Sequence, residues 1–194
     1  MSLTVERESL TTASRHVTPS FGKRDGSHVL VDYSEPMPVI DVNHYRLHEG
    51  RAYYAYKLHP DSAKLNTNTS IDIAIAWPAD VYPHASLTYQ CGGEAEFYIY
   101  ENAATSGGTT LTLHRRNRFL TAASSGAAVL NPTVSNVGTE IYGEFISSGQ
   151  GGTGAGGGGF SLEFVFKPLT TYLLRLTNVN GQAQMAEVRV DWYE

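Results

Sequence analysis

The chain has almost no cysteine. Cys91 stands alone, so no intrachain disulfide can form and the fold has to hold without a covalent staple. Cys91 follows Tyr89 and Leu87 at strand spacing with no activating partner nearby, and it reads as a small core hydrophobe rather than a reactive thiol. No apolar run approaches the roughly 20 residues that cross a bilayer as a helix. Residues 1–16 hold early acidic side chains and no apolar stretch, so a secretory signal is not expected. The expectation is a protein made in the cytoplasm that leaves its cell only on lysis. Positive charge is short as well. Fourteen Lys and Arg stand against 19 Asp and Glu, which argues against nonspecific nucleic-acid binding. Finally, no window of 11 to 18 residues carries an i, i+3, i+4, i+7 apolar stripe, so little helix is expected.

What is present is period-two alternation, which gives a strand one apolar and one polar face. At the C-terminal end Phe160, Leu162, Phe164 and Phe166 alternate with Ser161, Glu163 and Val165. Tyr172, Leu174 and Leu176 follow, then Val188, Val190 and Trp192. Residues 167–170 and 178–181 are turn material, because Pro presets φ and Asn and Gly tolerate positive φ. Three antiparallel strands with one apolar face need a second sheet, which the upstream residues have to supply. Residues 52–58 are aromatic and strand-prone, and Ile71, Ile73, Ile75 and Trp77 share one face. The runs 84–91 and 94–100 flank Gly92 and Gly93, the pattern of a tight hairpin. Residues 109–113 and 138–146 add candidates, the latter with Ile141, Gly143 and Phe145 on one face. Roughly eight to ten strands at turn-punctuated spacing predict an all-β fold, an antiparallel β-sandwich of jelly-roll type.

Residues 1–38 differ in kind. They are rich in Ser, Thr and charge, show little periodicity apart from a possible short strand at 28–33, and are expected to form an extended N-terminal arm. Residues 39–194 then form the sandwich, with a Gly-rich loop at 147–159.

Signals for chemistry are weak. Gly152, Gly154 and Gly157 satisfy G-x-G-x-x-G, but a strand follows them where a phosphate-binding motif needs a helix N-terminus. His44 and His48 are four apart, with His59 and Asp61 as the nearest further ligands. Hydrogen-bonded histidines in the strand that opens the domain are expected rather than a metal site. The basic run at 114–118, with Arg115, Arg116 and Arg118, lacks the interleaved aromatics of an RNA platform. It reads as a solvated loop or a protein–protein salt-bridge patch. Glu94 and Glu96 share a strand face about 7 Å apart, a spacing open to acid–base work, yet surface carboxylates are the commoner outcome. The expectation is a protein that is not an enzyme and needs no cofactor.

The runs at 163–168, 171–178 and 191–194, together with 44–50 (HYRLHEG), 92–101 (GGEAEFYIYE), 116–118 and the Gly-rich loop, resemble a group of virion proteins of tailed bacteriophages and prophages. The resemblance covers about residues 40–194. It implies a capsid decoration, or cement, protein that sits on the outer surface of the capsid and clamps capsomers together. Its partners would be the major capsid protein and neighbouring copies, as a trimer or dimer, with neither nucleic acid nor membrane. The arm lies outside the resemblance. Its Arg7, Arg15, His16, Phe21, Lys23 and Arg24 are expected to contact the shell or a neighbour, and Arg115, Arg116 and Arg118 to add a second contact. Two alternatives remain open. One is a tail, neck or fibre component; the other is a carbohydrate-binding module in which Tyr53, Tyr98, Tyr100 or Tyr193 stacks on sugars.

Overall fold

The computed structural model describes residues 20–22, 28–30, 42–147 and 156–194, with side chains over 44–147 and 163–194. The chain divides into two units, Met1–Asp41 and Val42–Glu194. In the first, β1 (Ser20–Gly22) pairs antiparallel with β2 (His28–Leu30), and Phe21 stands opposite Val29. Arg7, Arg15, His16, Lys23 and Arg24 lie outside the described residues.

The second unit opens with helix α1 (Val42–Glu49) and continues through β3 (Ala52–His59), β4 (Ser70–Ala76), β5 (His84–Cys91) and β6 (Ala95–Glu101). Short strands follow: β7 (Ala104–Ser106), β8 (Thr109–Thr110), β9 (His114–Arg115), β10 (Ala127–Leu130) and β11 (Thr133–Asn136). Four longer ones close the chain: β12 (Thr139–Ile146), β13 (Gly156–Val165), β14 (Tyr172–Asn178) and β15 (Ala186–Tyr193). One sheet has the order β12-β6-β14-β4-β10-β8 and another the order β13-β5-β15-β3-β9, while β7 and β11 pair separately. The architecture is all-β and sandwich-like.

Alternation explains how the two large sheets meet. On β15, Ala186, Val188, Val190 and Trp192 are buried, while Glu187, Arg189, Asp191 and Tyr193 are half-exposed on the other face. From the facing sheet Ile71, Ile73 and Ile75 of β4, Phe97 and Ile99 of β6, and Leu174 and Leu176 of β14 enter the same core. Each such side chain contributes about 1.5–3 kcal/mol on burial. Aromatic pairs join the layers: Tyr89 stacks on Phe97 at 3.7 Å between centroids, and Trp77 meets Trp192 edge-on at 5.8 Å.

Several expectations need correction. The three C-terminal strands do not form one sheet. β14 belongs to the six-stranded sheet, and β13 and β15 flank β5 in the other. The turns after β13 and β14 are therefore crossovers between layers. Gly92 and Gly93 likewise close no hairpin, because β5 and β6 lie in different sheets. The glycines are needed for close approach instead: a Cβ on Gly93 would sit 2.7 Å from the Asn180 amide nitrogen. His44 and His48 lie on α1, not on a strand. An eight-residue helix is shorter than any window in which an apolar stripe can be recognised. It ends at Gly50, whose φ of +73° suits a glycine C-cap. Of residues 109–113 only Thr109 and Thr110 are strand. The Gly-rich loop is shorter than expected, since Gly156, Gly157 and Gly158 pair with Cys91, Gln90 and Tyr89. Residues 148–155 lie outside the described residues.

Candidate interaction surface

The strand that departs most from its neighbours is β12, at one edge of the six-stranded sheet, where among the described residues β6 is its single partner. Its ladder shifts between Glu140, opposite Tyr100, and Tyr142, opposite Ile99, so Ile141 is the extra residue of a bulge. Beyond it Tyr142, Glu144 and Ile146 stand opposite the core residues Ile99, Phe97 and Ala95. Ile141, Gly143 and Phe145 are on the exposed side. Phe145 keeps 56% of its surface and Ile141 39%. Apolar side chains therefore stand on both faces of the strand, with Glu144 the one charge turned inward.

A hydrogen-bonded trio makes that inward charge tolerable. The Glu144 carboxylate accepts from the hydroxyls of both Tyr89 and Tyr142, which are themselves 3.1 Å apart. Burial, reinforced by the Glu144 carboxylate, pushes both hydroxyls above the ordinary tyrosine pKa, so both stay protonated and donate. A carboxylate with two donors is satisfied where a bare one would be costly. On the outer face, Tyr98 lies on Gly143, where a Cβ would sit 2.8 Å from the ring. Tyr100 follows, with ring centroids 5.8 Å apart. Ile141, Phe145, Tyr98 and Tyr100 thus form an apolar and aromatic strip, edged by Glu96 and Glu140.

The basic cluster lies in and just after β9. Arg115 is half-buried against Tyr53: its Nη2 donates to the Tyr53 hydroxyl at 3.1 Å and its guanidinium sits 5.4 Å from the ring centroid. That leaves Arg116 and Arg118 as the exposed members. Arg116 reaches Asp191 only at 4.0 Å. The Asn117 side-chain amide donates to the carbonyls of Leu47 and His48, clamping this turn to the end of α1. The turn then projects Arg118 and Phe119, the latter 97% exposed. The one local signal for Phe119 in the sequence is an isolated Phe in a stretch without period two.

His44 and His48 face each other with Nε2 atoms 3.0 Å apart. Among the described residues no group of three His, Cys, Asp or Glu is placed to hold a metal ion. Glu96 is on the outer face of β6, and Glu94 lies in the crossover before it. Of the sugar-stacking candidates, Tyr53 is buried and unavailable. Tyr98 and Tyr100 belong to the strip, and Tyr193 stacks on His84 at 4.9 Å on the outer face of the five-stranded sheet.

Two polar hollows meet at that His84–Tyr193 pair. One, of about 490 Å³, lies over Ser86, Thr88, Arg116, Arg189 and Asp191. The other, of about 590 Å³, reaches Arg46, Arg51, Tyr82, Ser125 and Glu194. No family model, no curated protein and no solved structure matches the chain.

Proposed function

We propose that the chain is a non-enzymatic structural protein of a bacteriophage virion, which decorates the outer surface of the capsid and stabilises it by bridging capsomers. The observation that carries this reading is the outer face of β12: Ile141 and Phe145 face outward beside Tyr98 and Tyr100. An apolar strip held outward by a satisfied polar trio marks a surface that a protein partner covers. Its partners on this reading are the major capsid protein and neighbouring copies of the chain, as a trimer or dimer. Symmetric repetition multiplies modest contacts, so each interface need supply only a few buried side chains. The projecting Arg118 and Phe119 offer a second contact. The arm residues Arg7, Arg15, His16, Phe21, Lys23 and Arg24 would add a third.

The finer fold follows the same proposal. The order β3-β15-β5-β13 facing β4-β14-β6-β12 is the order reached when two Greek keys roll up together, and it supports a jelly roll, an architecture used in capsid and lectin domains.

Sedimentation with heads of the encoding phage, purified without this protein, tests the reading. The full chain is expected to co-sediment, and the Ile141→Glu, Phe145→Glu double variant to remain folded but lose at least about tenfold in affinity. A chain without residues 1–38 is expected to fold and fail to coat. Coating by the double variant at wild-type affinity would overturn the assignment of the strip. Immunogold label confined to tails would replace decoration by a tail, neck or fibre role.

A further inference from the structure

We propose that copies of the chain join head to tail, the turn that carries Arg118 and Phe119 in one copy docking on the β12 strip of the next. The proposal rests on the reading of that strip as a surface for a protein partner, and it names the partner as a second copy. Phe119 keeps 97% of its surface, and Leu120 beside it keeps 44%. The turn that presents them is already fixed. Asn117 donates to the carbonyls of Leu47 and His48, and its Oδ1 accepts from the Phe119 amide at 3.1 Å. A group held in place before it binds loses little freedom on docking. On the receiving side Ile141 and Phe145 stand outward beside Tyr98 and Tyr100. An aromatic anchor seated on an apolar and aromatic patch is the kind of contact that dominates interface energetics.

Charge chooses the occupant. Glu96 and Glu140 edge the strip, and among the described residues neither makes an ion pair; Arg118 makes none either. The charge of Glu96 first, then burial and Glu140, raises the Tyr98 pKa, so the strip sits in a negative field. Two strips meeting would set these carboxylates against their own counterparts, and two turns meeting would set arginine against arginine. A turn on a strip brings opposite signs together. The turn does not serve the strip of its own chain. Among the described residues β12 lies by β13 at one edge of the sandwich, while β9, which leads into the turn, ends the five-stranded sheet at the other edge. Four strand spacings of about 4.8 Å separate β13 from β9, beyond the reach of a turn clamped to α1. Surfaces at opposite edges cannot both face one partner, so the contact builds a ring of three or more copies rather than a two-fold dimer.

Sedimentation velocity of the full chain at concentrations up to about 1 mM, the weak end of specific association, tests this. Reversible self-association is expected, and it should weaken as salt rises because the paired charges lie at the surface. Phe119→Ser and the Ile141→Glu, Phe145→Glu double variant are each expected to lose at least about tenfold in self-affinity. Mixed one to one, these two variants are expected to form a pair that grows no further, since one keeps its strip and the other its turn. Arg118→Glu is expected to weaken association, and Glu140→Arg in the same chain to restore it. Thermal denaturation verifies that every variant folds. A wild-type chain that stays monomeric at about 1 mM overturns the proposal. So does association indifferent to Phe119→Ser, or a mixture that forms no pair. A chain that is monomeric in solution yet coats heads would leave decoration standing and remove this contact. Self-association without coating would support the contact and remove decoration.

Discussion

β12 and β15 are each eight residues long, yet β15 buries one apolar face strictly while β12 carries apolar side chains on both faces. β15 lies between β3 and β5, and every second side chain is buried in the core. Among the described residues β12 has one neighbouring strand, and it sends Glu144 inward and leaves Phe145 outside. In the middle of a sheet, a slip of one residue would expose the whole apolar set and bury the charges, so the pattern is strict. At the edge a bulge resets the pattern, and two tyrosine hydroxyls satisfy the carboxylate that turns inward. An exposed apolar face that survives under such looser constraint is available for a partner.

The largest test of that contrast removes one aromatic from each strand. Trp192→Ala takes out a side chain only 3% exposed and packed edge-on to Trp77, and is expected to cost about 3–5 kcal/mol. Phe145→Ala is expected to change stability by less than about 1 kcal/mol, as surface substitutions do. Urea unfolding of the full chain measures both. Equal losses would mean that Phe145 packs within its own chain, and the distinction between the strands would fail.

The same contrast explains what could be read from the residues alone. The inward sets of β4, β14 and β15 were legible because an apolar period of two survives in the central strands. Which sheet each strand joins was not, since Gly92 and Gly93 have the same chemistry in a hairpin as in a crossover. That Ile141, Gly143 and Phe145 share a face was visible, but not that the face is outward. That depends on Tyr89, which is 55 residues from Glu144 in sequence. The exposed Arg116 and Arg118 were legible as a basic run, whereas the half-burial of Arg115 depends on Tyr53, 62 residues away. Around the two hollows Tyr53, Arg116 and Tyr193 were marked beforehand and the other lining residues were not, because β5, β15 and loops build this surface and no local pattern joins them.

A second test compares the outer faces of the two sheets, each of which carries one bidentate Arg–Asp pair. Arg175 and Asp72 stand opposite each other on β14 and β4, with N–O distances of 2.8 and 2.6 Å. Arg189 and Asp191 are two apart on β15, and Arg189 also lies over the Tyr54 ring at 4.7 Å. The Arg175 pair is the more enclosed, at 26% and 13% side-chain exposure against 37% and 19%. Arg175→Ala leaves Asp72 enclosed without its counter-charge and is expected to cost about 1–3 kcal/mol. Arg189→Ala is expected to cost less than about 1 kcal/mol. Adding Asp72→Ala to Arg175→Ala is expected to recover part of the loss in a double-mutant cycle, whereas strict additivity would show that the cross-strand pair adds nothing to the sheet.

The smallest effect separates the hydroxyl–carboxylate pairs of a central and an edge strand by pH. On β14 the Tyr172 hydroxyl donates to Glu101 at 2.8 Å and accepts from the Lys167 amide, and burial raises its pKa from 10.0 to about 12. An unfolded tyrosine ionises near 10. Between those values the folded chain holds a proton that the unfolded chain has lost, so stability falls as pH rises. The contribution is complete below about pH 10 and disappears as pH climbs through the folded value, with a slope of no more than about 1.4 kcal/mol per pH unit for each such tyrosine. Tyr89, pushed up more strongly by burial and by Glu144, adds to the same fall. Tyr172→Phe is therefore expected to flatten the decline of the urea midpoint between about pH 10 and 12. Tyr142→Phe, on the half-exposed edge strand, is expected to flatten it less. A larger change from Tyr142→Phe would mean that β12 is held more tightly than β14, and an edge strand so anchored would not be the adaptable surface its outward apolar residues imply.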